Sequence, residues 1–321
     1  MRLRLVPKET TLDFFKVSKL TLGLSGLAMI ASIVMFFVVG LNFGIDFRGG
    51  TTIRTDSQVA VDVGAYRDAL EVLNLGDVSI TEVFDPTNLD QNVAMIRIQA
   101  QEGDESVSSD TIVAMEAALN QIDPTMTFPS VESVGPKVSG ELVQTAILAV
   151  FAAIAAVLIY IWLRFEWQFS LGAVAALVHD VTLTIGIFSL LQIKFDLAII
   201  AALLTIVGYS LNDTVVVFDR VRENLRKFKQ RDLKDVLNLS INETLSRTVM
   251  TSVTTLLALI SLFILGGDVI RGFVFAMIWG VIVGTYSSVF VASAILLRLG
   301  VKRDWSKSGP KAGGQYANID A

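Results

Sequence analysis

Asp213 is the residue whose type and position point most directly to chemistry. It is the only charged residue in the apolar run Leu197–Phe218. A carboxylate at membrane depth is costly, so it is expected to face a partner side chain or a water-filled path. His179-Asp180 lies within a second apolar run, and Arg247 stands at the start of a third. Ionisable groups in three separate apolar segments predict a polar pathway and, with it, proton or ion coupling.

If their two runs form a symmetric helical hairpin, Asp213 and Arg247 reach the same depth and are able to pair, because both are equally far along the sequence from Gln230, the middle of the segment between the runs. Arginine does not deprotonate in proteins, so the carboxyl group is the one able to carry a proton. We interpret Asp213 as a proton carrier that Arg247 tunes. The other interpretation is a static salt bridge that fixes the helix register. Four polar neighbours extend the predicted pathway: Asn212, Thr214, Thr251 and Thr255.

His179-Asp180 lies near the middle of its apolar run, and His179 is the only histidine of the chain. Neighbouring residues of a helix point about 100° apart, so the two side chains need not face each other. Two interpretations stay open. In the first, one of the two side chains lines the same pathway as Asp213. In the second, His179 makes an interhelical hydrogen bond that only holds the helices together.

The composition predicts an α-helical polytopic membrane protein. The chain has 321 residues, of which 53% are hydrophobic, and its mean hydropathy is +0.61. A bilayer-spanning helix needs roughly 20 apolar residues. Six runs reach about that length, and four of them carry no charge. They are Leu20–Leu41, Leu142–Leu163, Phe169–Leu191, Leu197–Phe218, Thr248–Leu265 and Gly272–Leu297.

Lysine and arginine placement predicts the orientation, because cytoplasmic segments carry an excess of these residues. With both termini in the cytoplasm, that side holds most of the 26 basic residues, while the outer segment after the first run is acidic. This balance argues against nucleic acid as a partner. The first run is expected to serve as an uncleaved export signal. The predicted divisions are 1–19, 20–41, 42–140, 141–300 with a cytoplasmic segment 219–245, and 301–321.

The outer segment 42–140 has the pattern of an α+β domain of the ferredoxin-like type, with the order βαββαβ. The turn at Asp85–Asn88 separates the middle strands. Segment 219–245 is charged and helical in pattern. It is interpreted as a solvated hairpin or as a docking surface. The predicted elements of the outer domain are Thr51–Thr55, Val59–Leu73, Val78–Phe84, Val93–Gln99, Val107–Ile122 and Phe128–Val134.

No pattern in the sequence predicts an enzyme. Zinc-binding spacings, phosphate-binding glycine loops and nucleophile elbows are not found, so we expect no catalytic residue, metal or cofactor. The chain has no cysteine, which excludes disulfides and thiolate metal sites. Gly280 and Gly284 form a GxxxG pair, which indicates close helix packing.

Four segments resemble the SecD/SecF protein-export family. Gly44–Thr51 reads GIDFRGGT, residues 134–136 read VGP, and residues 207–220 resemble the fourth-span motif of the SecF branch, which residues 246–248 also fit. The resemblance implies a resistance-nodulation-division-type membrane fold in the bacterial inner membrane. It implies SecD, the SecYEG channel and YajC as partners, with SecA acting earlier and unfolded preprotein at the outer domain. It also implies proton-motive force as the energy source, with Asp213 and Arg247 tied to proton transport.

The turn after the first run is expected to couple the outer domain to the membrane helices, in addition to starting the first strand. Its residues are Asp46, Arg48, Gly49 and Gly50. Two other functions stay open: half of a small-molecule efflux permease, or a non-conducting assembly partner of SecD and the channel.

Overall fold

The computed structural model describes residues 10–76, 78–83, 92–99 and 107–301. The predicted turn Asp85–Asn88 and the predicted tail beyond residue 301 lie outside these ranges. A 3-10 turn (Phe14–Val17) precedes the first helix, and a π-helical turn (Ser288–Ala292) joins the last two. In chain order the elements are α1 (Ser18–Val38), α2 (Ile45–Arg48), β1 (Gly50–Ser57), α3 (Val63–Glu71), β2 (Val78–Val83), β3 (Asn92–Gln99), α4 (Ser109–Asn120), β4 (Thr127–Val134), α5 (Pro136–Arg164), α6 (Trp167–Leu191), α7 (Leu197–Lys227), α8 (Leu233–Leu265), α9 (Gly267–Ser287) and α10 (Ser293–Leu299).

The domain of residues 42–140 that is predicted to lie outside, called the outer domain below, contains a four-stranded antiparallel sheet in the order β2-β3-β1-β4. The sequence βαββαβ with this strand order is the split βαβ arrangement, so the ferredoxin-like prediction is confirmed. Alternate residues of the strands point to one face, where Ile53, Ile96 and Ile98 pack against Tyr66 of α3 and Met115 of α4. Burial of this apolar face holds the two helices on the sheet.

Both helices of this domain begin at side-chain caps. Asp62 accepts a hydrogen bond from the backbone N–H of Ala65, and Ser108 accepts one from that of Thr111. A cap of this type satisfies one of the amides that a helix start leaves without a partner. The capping positions explain why α3 and α4 begin a few residues later than the hydrophobic spacing predicts.

Among the described residues, six helices are long and apolar enough to cross a membrane, which confirms the predicted polytopic class. They are α1, α5, α6, α7, α8 and the α9–α10 pair. Between 44% and 67% of the residues are buried in the spans of α6, α7 and α9–α10, whereas 11% or fewer are buried in those of α1, α5 and α8. Three helices therefore form the centre of the bundle, and three lie around it.

The α7 and α9 helices pack closely because α9 carries glycine at the contact. A Cβ atom at Gly280 would lie 2.3 Å from Ile206 Cγ1, and one at Gly284 would lie 3.1 Å from Ser210 Cβ. Close backbone approach through small residues is the usual way in which membrane helices associate. The packing role predicted for the GxxxG pair is confirmed.

The α7 and α8 helices form a hairpin that extends beyond the apolar runs. Its connection is short, from Phe228 to Asp232. Asn224 of α7 donates a hydrogen bond to Ser240 of α8 at 3.0 Å. The Nε atom of Arg220 donates to Glu243 at 2.6 Å. The helical hairpin expected for the charged segment is therefore present, and polar contacts fix its register.

Candidate functional site

Asp213 lies on the buried side of α7 with 3% of its surface exposed. Its Oδ2 atom is buried and has no hydrogen-bond partner among the described residues. The Arg247 guanidinium is close enough to attract the carboxylate electrostatically. In the described part of the chain, however, no ion pair joins the two, and Arg247 is exposed on the surface of α8. The static salt bridge is therefore not formed in this structure.

The depth of Arg247 differs from the sequence-based expectation by about one helical turn. The Tyr209 hydroxyl donates to Thr255 at 3.3 Å, which places these two residues at the same level of the hairpin. Asp213, one turn further along α7, is then level with Thr251. Arg247 lies about 6 Å nearer the α7–α8 connection, at about 1.5 Å per residue. The long arginine side chain can bridge this offset only by extending along the hairpin.

The four predicted polar neighbours have different surroundings. The Thr214 hydroxyl donates to the backbone oxygen of Ser210 at 3.1 Å, and that of Thr251 donates to the backbone oxygen of Thr248 at 2.8 Å. Both hydroxyls are thus engaged within their own helices. Thr255 receives the bond from Tyr209 that joins α7 to α8. Asn212 is exposed on the outer side of α7 and does not share the buried position of Asp213.

Asp180 has the opposite environment to Asp213, because both of its oxygens have partners. Its Oδ1 atom lies 2.9 Å from Nδ1 of His179. Its Oδ2 atom accepts hydrogen bonds from Ser210 of α7 at 2.6 Å and from Ser287 of α9 at 2.8 Å. Asp180 is 0% exposed and His179 is 1% exposed. The bonds between helices therefore come from Asp180, whereas the structural interpretation of the sequence assigned them to His179.

His179 extends this network toward α1. Its ring stacks on Tyr286 of α9 with a centroid separation of 6.1 Å. The Tyr286 hydroxyl donates to the backbone oxygen of Thr21 at 3.0 Å and lies 3.0 Å from Ser25 Oγ. The His179 Nε2 atom is buried without a hydrogen-bond partner among the described residues. The network thus joins α1, α6, α7 and α9 near the middle of the bundle.

Sequence reasoning missed three members of this network: Ser210, Ser287 and Tyr286. Serines in membrane helices usually bond to the backbone oxygen one turn earlier, so a serine alone carries no signal of an interhelical contact. The position of Ser210, almost one turn before Asp213 in α7, was the one available indication.

The start of the outer domain is bonded to the first turn of α7. The Asp46 Oδ2 atom accepts a hydrogen bond from the backbone N–H of Leu197 at 3.0 Å. Phe195 donates its N–H to the backbone oxygen of Asn42 at 2.7 Å and accepts one from Gly44 at 2.8 Å. A carboxylate at a helix N-terminus is stabilised by the free amides and by the helix dipole. Asp46 therefore ties the outer segment directly to the helix that carries Asp213.

The glycine pair ends α2 and starts the sheet. Gly49 has φ of 76° and donates its N–H to the backbone oxygen of Ile45 at 2.8 Å, while Gly50 has φ of 128°. Side chains other than glycine rarely adopt such positive values of φ. Ser139 at the start of α5 donates to the same oxygen at 3.3 Å. Arg48 closes the last turn of α2. This short helix thus contacts both the membrane helices and the sheet.

Charged groups gather between the sheet and this junction. Lys194 pairs with Asp196 at 3.7 Å. Burial and the nearby charge of Arg97 lower the pKa of Lys194, and Asp196 and Asp46 oppose this. Burial also lowers the pKa of Arg97, on β3, and Asp196 opposes that shift. The sheet and the start of α7 therefore interact electrostatically.

Among the described residues, no three or more His, Cys, Asp or Glu side chains come together in a way that could hold a metal ion. The polar residues of the bundle are instead suited to hold or transfer protons: one buried carboxyl group lacks a hydrogen bond at Oδ2, and a cation lies nearby.

Comparisons with known proteins agree with the sequence motifs. Residues 114–302 match the family model described as "Protein export membrane protein SecD/SecF, C-terminal", and residues 34–61 match "SecD/SecF GG Motif". The chain is 64% identical over 321 residues to "Protein translocase subunit SecF" of Cereibacter sphaeroides, covering 100% of this chain and 99% of that protein. It is 39% identical to the protein of the same description from Escherichia coli O157:H7, covering 91% and 89%.

Solved structures give the same result. The crystal structure of SecDF from Thermus thermophilus, described as a translocon-associated membrane protein, superposes with a TM-score of 0.81 at 34% identity. A SecDF structure in a "Super-membrane-facing form" gives a TM-score of 0.65 at 36% identity. Each match covers 93% of this chain and 40% of the solved chain.

Proposed function

Because the chain belongs to the SecD/SecF protein-export family, we propose that it works with SecD to drive preprotein translocation with the proton-motive force. In this proposal it acts at the SecYEG channel of the bacterial inner membrane, after the SecA-driven step, with YajC as a further associate. Residues 42–140 lie outside, while the segment 219–245 and both termini lie in the cytoplasm. The observation that carries the proposal is the buried Asp213 carboxyl group, whose Oδ2 atom has no hydrogen-bond partner in the described chain.

Asp213 binds and releases the proton in this mechanism. Burial of a carboxyl group favours its neutral form, whereas a nearby guanidinium favours the ionised form. A small change in the distance between Asp213 and Arg247 therefore changes the proton affinity. No hydrogen bond to Oδ2 favours either the protonated or the ionised form of Asp213, so both forms are accessible.

Arg247 tunes Asp213 by moving relative to it. The two side chains are offset by about one turn of the hairpin, and Arg247 is exposed. When Asp213 loses its proton, its charge attracts the guanidinium along α8. When Asp213 is protonated, that attraction disappears. Proton binding thereby changes the contact between α7 and α8 on the side where Thr251 is level with Asp213, and Thr255 continues the polar stripe one turn farther from Arg247.

The polar membrane face around Arg247 supports SecD as the direct partner. Asn212 of α7 is exposed, as are Arg247 and Thr254 of α8. Exposure of an arginine to hydrocarbon is costly, so a charged residue at membrane depth usually faces protein or a water-filled cavity. We assign this face to contact with SecD, and the proton path to the space that SecD closes.

Asp180 and His179 line the inner side of this path and keep their positions while Arg247 moves. Asp180 holds Ser210, which lies almost one turn before Asp213 on the same helix. This bond sets the rotation of α7, so it determines which way Asp213 points. His179 retains one nitrogen without a hydrogen-bond partner among the described residues, which leaves a site for a water molecule of the pathway.

Movement reaches the outer domain through the junction at Asp46. The bond from Leu197 to Asp46 joins α7 to α2, and the turn Arg48–Gly50 leads from α2 into β1. A tilt of α7 therefore moves the sheet. In this proposal the sheet, together with the outer part of SecD, holds emerging preprotein and prevents it from sliding back.

The test is proton flux and preprotein export in membrane vesicles that contain the chain with its SecD. We expect Asp213→Asn to abolish both activities, with the amount of complex unchanged. The matched control is Asp219→Asn, the same change on the same helix at an exposed position. Full activity of Asp213→Asn would favour the second candidate, a non-conducting assembly partner. The bonds of Asp180 to Ser210 and Ser287 are the observation that favours this second candidate, because they give a buried carboxylate of the same bundle a structural role.

A further inference from the structure

The first described residues of the chain, 10–15, lie against the first half of α8, where two asparagines bond to their backbone. Asn242 accepts a hydrogen bond from the N–H of Leu12 at 3.0 Å and donates one to the Leu12 carbonyl oxygen at 2.9 Å. Asn238 accepts a bond from the N–H of Phe14 at 3.0 Å. We name residues 10–15 the N-terminal strap.

The spacing of the two asparagines matches that of the backbone groups they bond. Two residues of an extended chain span about 6.6 Å, and four residues of a helix rise about 6 Å. Leu12 and Phe14 are two residues apart, while Asn242 and Asn238 are four apart, so the strap runs antiparallel to α8. The Leu12 side chain is 55% exposed. The bonds from Asn242 therefore depend on the backbone of residue 12 and not on its side chain.

Two side chains of the strap add contacts of different kinds. Asp13 accepts hydrogen bonds from Asn238 Nδ2 at 2.9 Å and from Lys234 Nζ at 3.2 Å. Phe15 is buried in the apolar cluster that includes Leu237 of α8. The bonds of Leu12 and Asp13 to α8 are exposed to solvent, whereas Phe15 is not. Exposed bonds of this kind open locally without unfolding the bundle, so the strap is able to separate from α8 while Phe15 stays in place.

The strap lies where α8 is held most firmly. The buried residues of α8 all fall between positions 236 and 252, and only 11% of its membrane span is buried. Arg247 follows Asn242 by five residues, about 7.5 Å farther along the helix. The strap continues through the 3-10 turn Phe14–Val17 directly into α1. Its bonds to Asn238 and Asn242 therefore tie α8 to α1 and oppose movement of α8 along its axis.

We propose that the N-terminal strap is a releasable restraint that sets the position of α8 along its axis, and with it the distance between Arg247 and Asp213. This inference rests on the proposed function, in which Arg247 moves relative to Asp213. The bound strap keeps Arg247 about one turn from the level of Asp213. When the strap separates, α8 slides and the guanidinium follows the charge of the carboxylate. Asn238 and Asn242 are thus positioning residues that act through α8.

Substitutions of Leu12 test the backbone contact on the full chain purified with SecD. Leu12→Pro removes the N–H that donates to Asn242, whereas the matched control Leu12→Ala keeps it. We expect Leu12→Pro and Asn242→Leu each to make amide hydrogen exchange of residues 10–16 about tenfold faster, because one or two hydrogen bonds are lost. The double variant should exchange no faster than either single variant. Equal acceleration by Leu12→Pro and Leu12→Ala would overturn the proposal.

Coupling to the proton step has its own measurement. Coupling between two sites is reciprocal, so the charge at residue 213 should affect the opening of the strap. We expect Asp213→Asn to change the exchange rate of residues 10–16 about threefold. The control Asp219→Asn, at an exposed position of the same helix, should leave that rate unchanged. A purely structural N-terminal anchor would not respond to Asp213→Asn.

Vesicle assays separate failure of this inference from failure of the proposed function. We expect Leu12→Pro to lower proton flux and export about threefold relative to Leu12→Ala. Full activity of Leu12→Pro, in a preparation where Asp213→Asn is inactive, would overturn the restraint alone. An exchange rate of residues 10–16 that Asp213→Asn leaves unchanged would overturn it as well. Full activity of Asp213→Asn would overturn the proposed function, and with it the role of the strap in the proton step.

Discussion

Asp180 on α6 and Asp213 on α7 are both almost fully buried, yet their surroundings differ. Asp180 is bonded to His179, Ser210 and Ser287, so both of its oxygens have partners. Asp213 has a buried oxygen without a partner in the described chain. A satisfied polar network makes a structure rigid, whereas an unsatisfied buried group is costly and is retained where it has a use. Burial alone does not separate these two carboxylates, whereas their hydrogen bonds do, and on that basis we propose a structural role for Asp180 and a proton-carrying role for Asp213.

The largest effect on folding is expected for Asp180→Ala. The change removes the acceptor of the Ser210 hydroxyl, which costs about 1–3 kcal/mol, and leaves the Ser287 hydroxyl with only the backbone oxygen of Gly284 at 3.2 Å. We expect the complex with SecD to unfold at a clearly lower temperature. Asp180→Asn keeps one acceptor oxygen and should cost less. Equal destabilisation of the complex by Asp180→Ala and Asp213→Ala would contradict the distinction between the hydrogen-bonded Asp180 and the unbonded Asp213.

Asp213→Ala is expected to change activity and leave stability nearly intact. No hydrogen bond to Oδ2 is lost, so the free energy of unfolding should change by no more than about 1 kcal/mol. Export driven by the proton gradient should fall at least tenfold, because the change removes the carboxyl group that we propose carries the proton. Thermal unfolding and vesicle export, measured on the same preparation, check both statements. A destabilised but active variant would reverse the roles of the two carboxylates.

Substitutions of Arg247 are expected to have effects of intermediate size. Arg247→Gln removes the positive charge that acts on Asp213, so proton flux and export should both fall. Arg247→Lys keeps the charge on a shorter, more flexible side chain and should retain part of the activity. Flux measured in parallel for the two variants tests whether charge is what matters. Equal loss in both would assign Arg247 to contact with SecD instead.

The contact between α7 and α9 offers a smaller, packing-based test. A Cβ at Gly280 would collide with Ile206, so Gly280→Ala should cost about 1–3 kcal/mol through overpacking. The displaced α7 should also weaken the bond from Ser210 to Asp180. Adding Ile206→Ala makes room and should restore part of the stability, which thermal unfolding of the double variant measures. No recovery would mean that the collision is not the cause.

The smallest effect concerns a third carboxylate, Asp123, in the outer domain. It accepts hydrogen bonds from Ser57 and Thr125, which lower its pKa below the usual 3.8. A lowered folded-state pKa contributes stability above the unfolded value, and this stability is lost as pH falls through the folded value. We expect hydrogen exchange of β1 to stay slow down to pH 4, after correction for intrinsic rates, and to rise below it. Asp123→Asn should remove that pH dependence.

Much of the fold follows from sequence patterns. The strands of the outer domain are predicted from short runs of strand-forming residues, and the α7–α8 hairpin from the charged, helical pattern of residues 219–245, whose middle is Gln230. The predicted depth of Arg247 relative to Asp213 is wrong by about one turn. The contact between Asn224 and Ser240, and not the midpoint of the connection, sets the register of α7 against α8. The partners of Asp180 were not predicted, because a serine hydroxyl gives no sign of whether it bonds within its helix or across to another.

The bond from Leu197 to Asp46 has a mechanical consequence. Asp213 lies about 24 Å along α7 from that bond, at about 1.5 Å per residue. The helix is thus a lever whose pivot is held by the outer domain and whose far arm carries the carboxyl group. A tilt of only about 5° at the pivot displaces Asp213 by about 2 Å over that length. In the proposed mechanism, a pull of the preprotein on the outer sheet reaches the carboxylate through the same lever, so we expect the load on the substrate to set the rate at which protons pass.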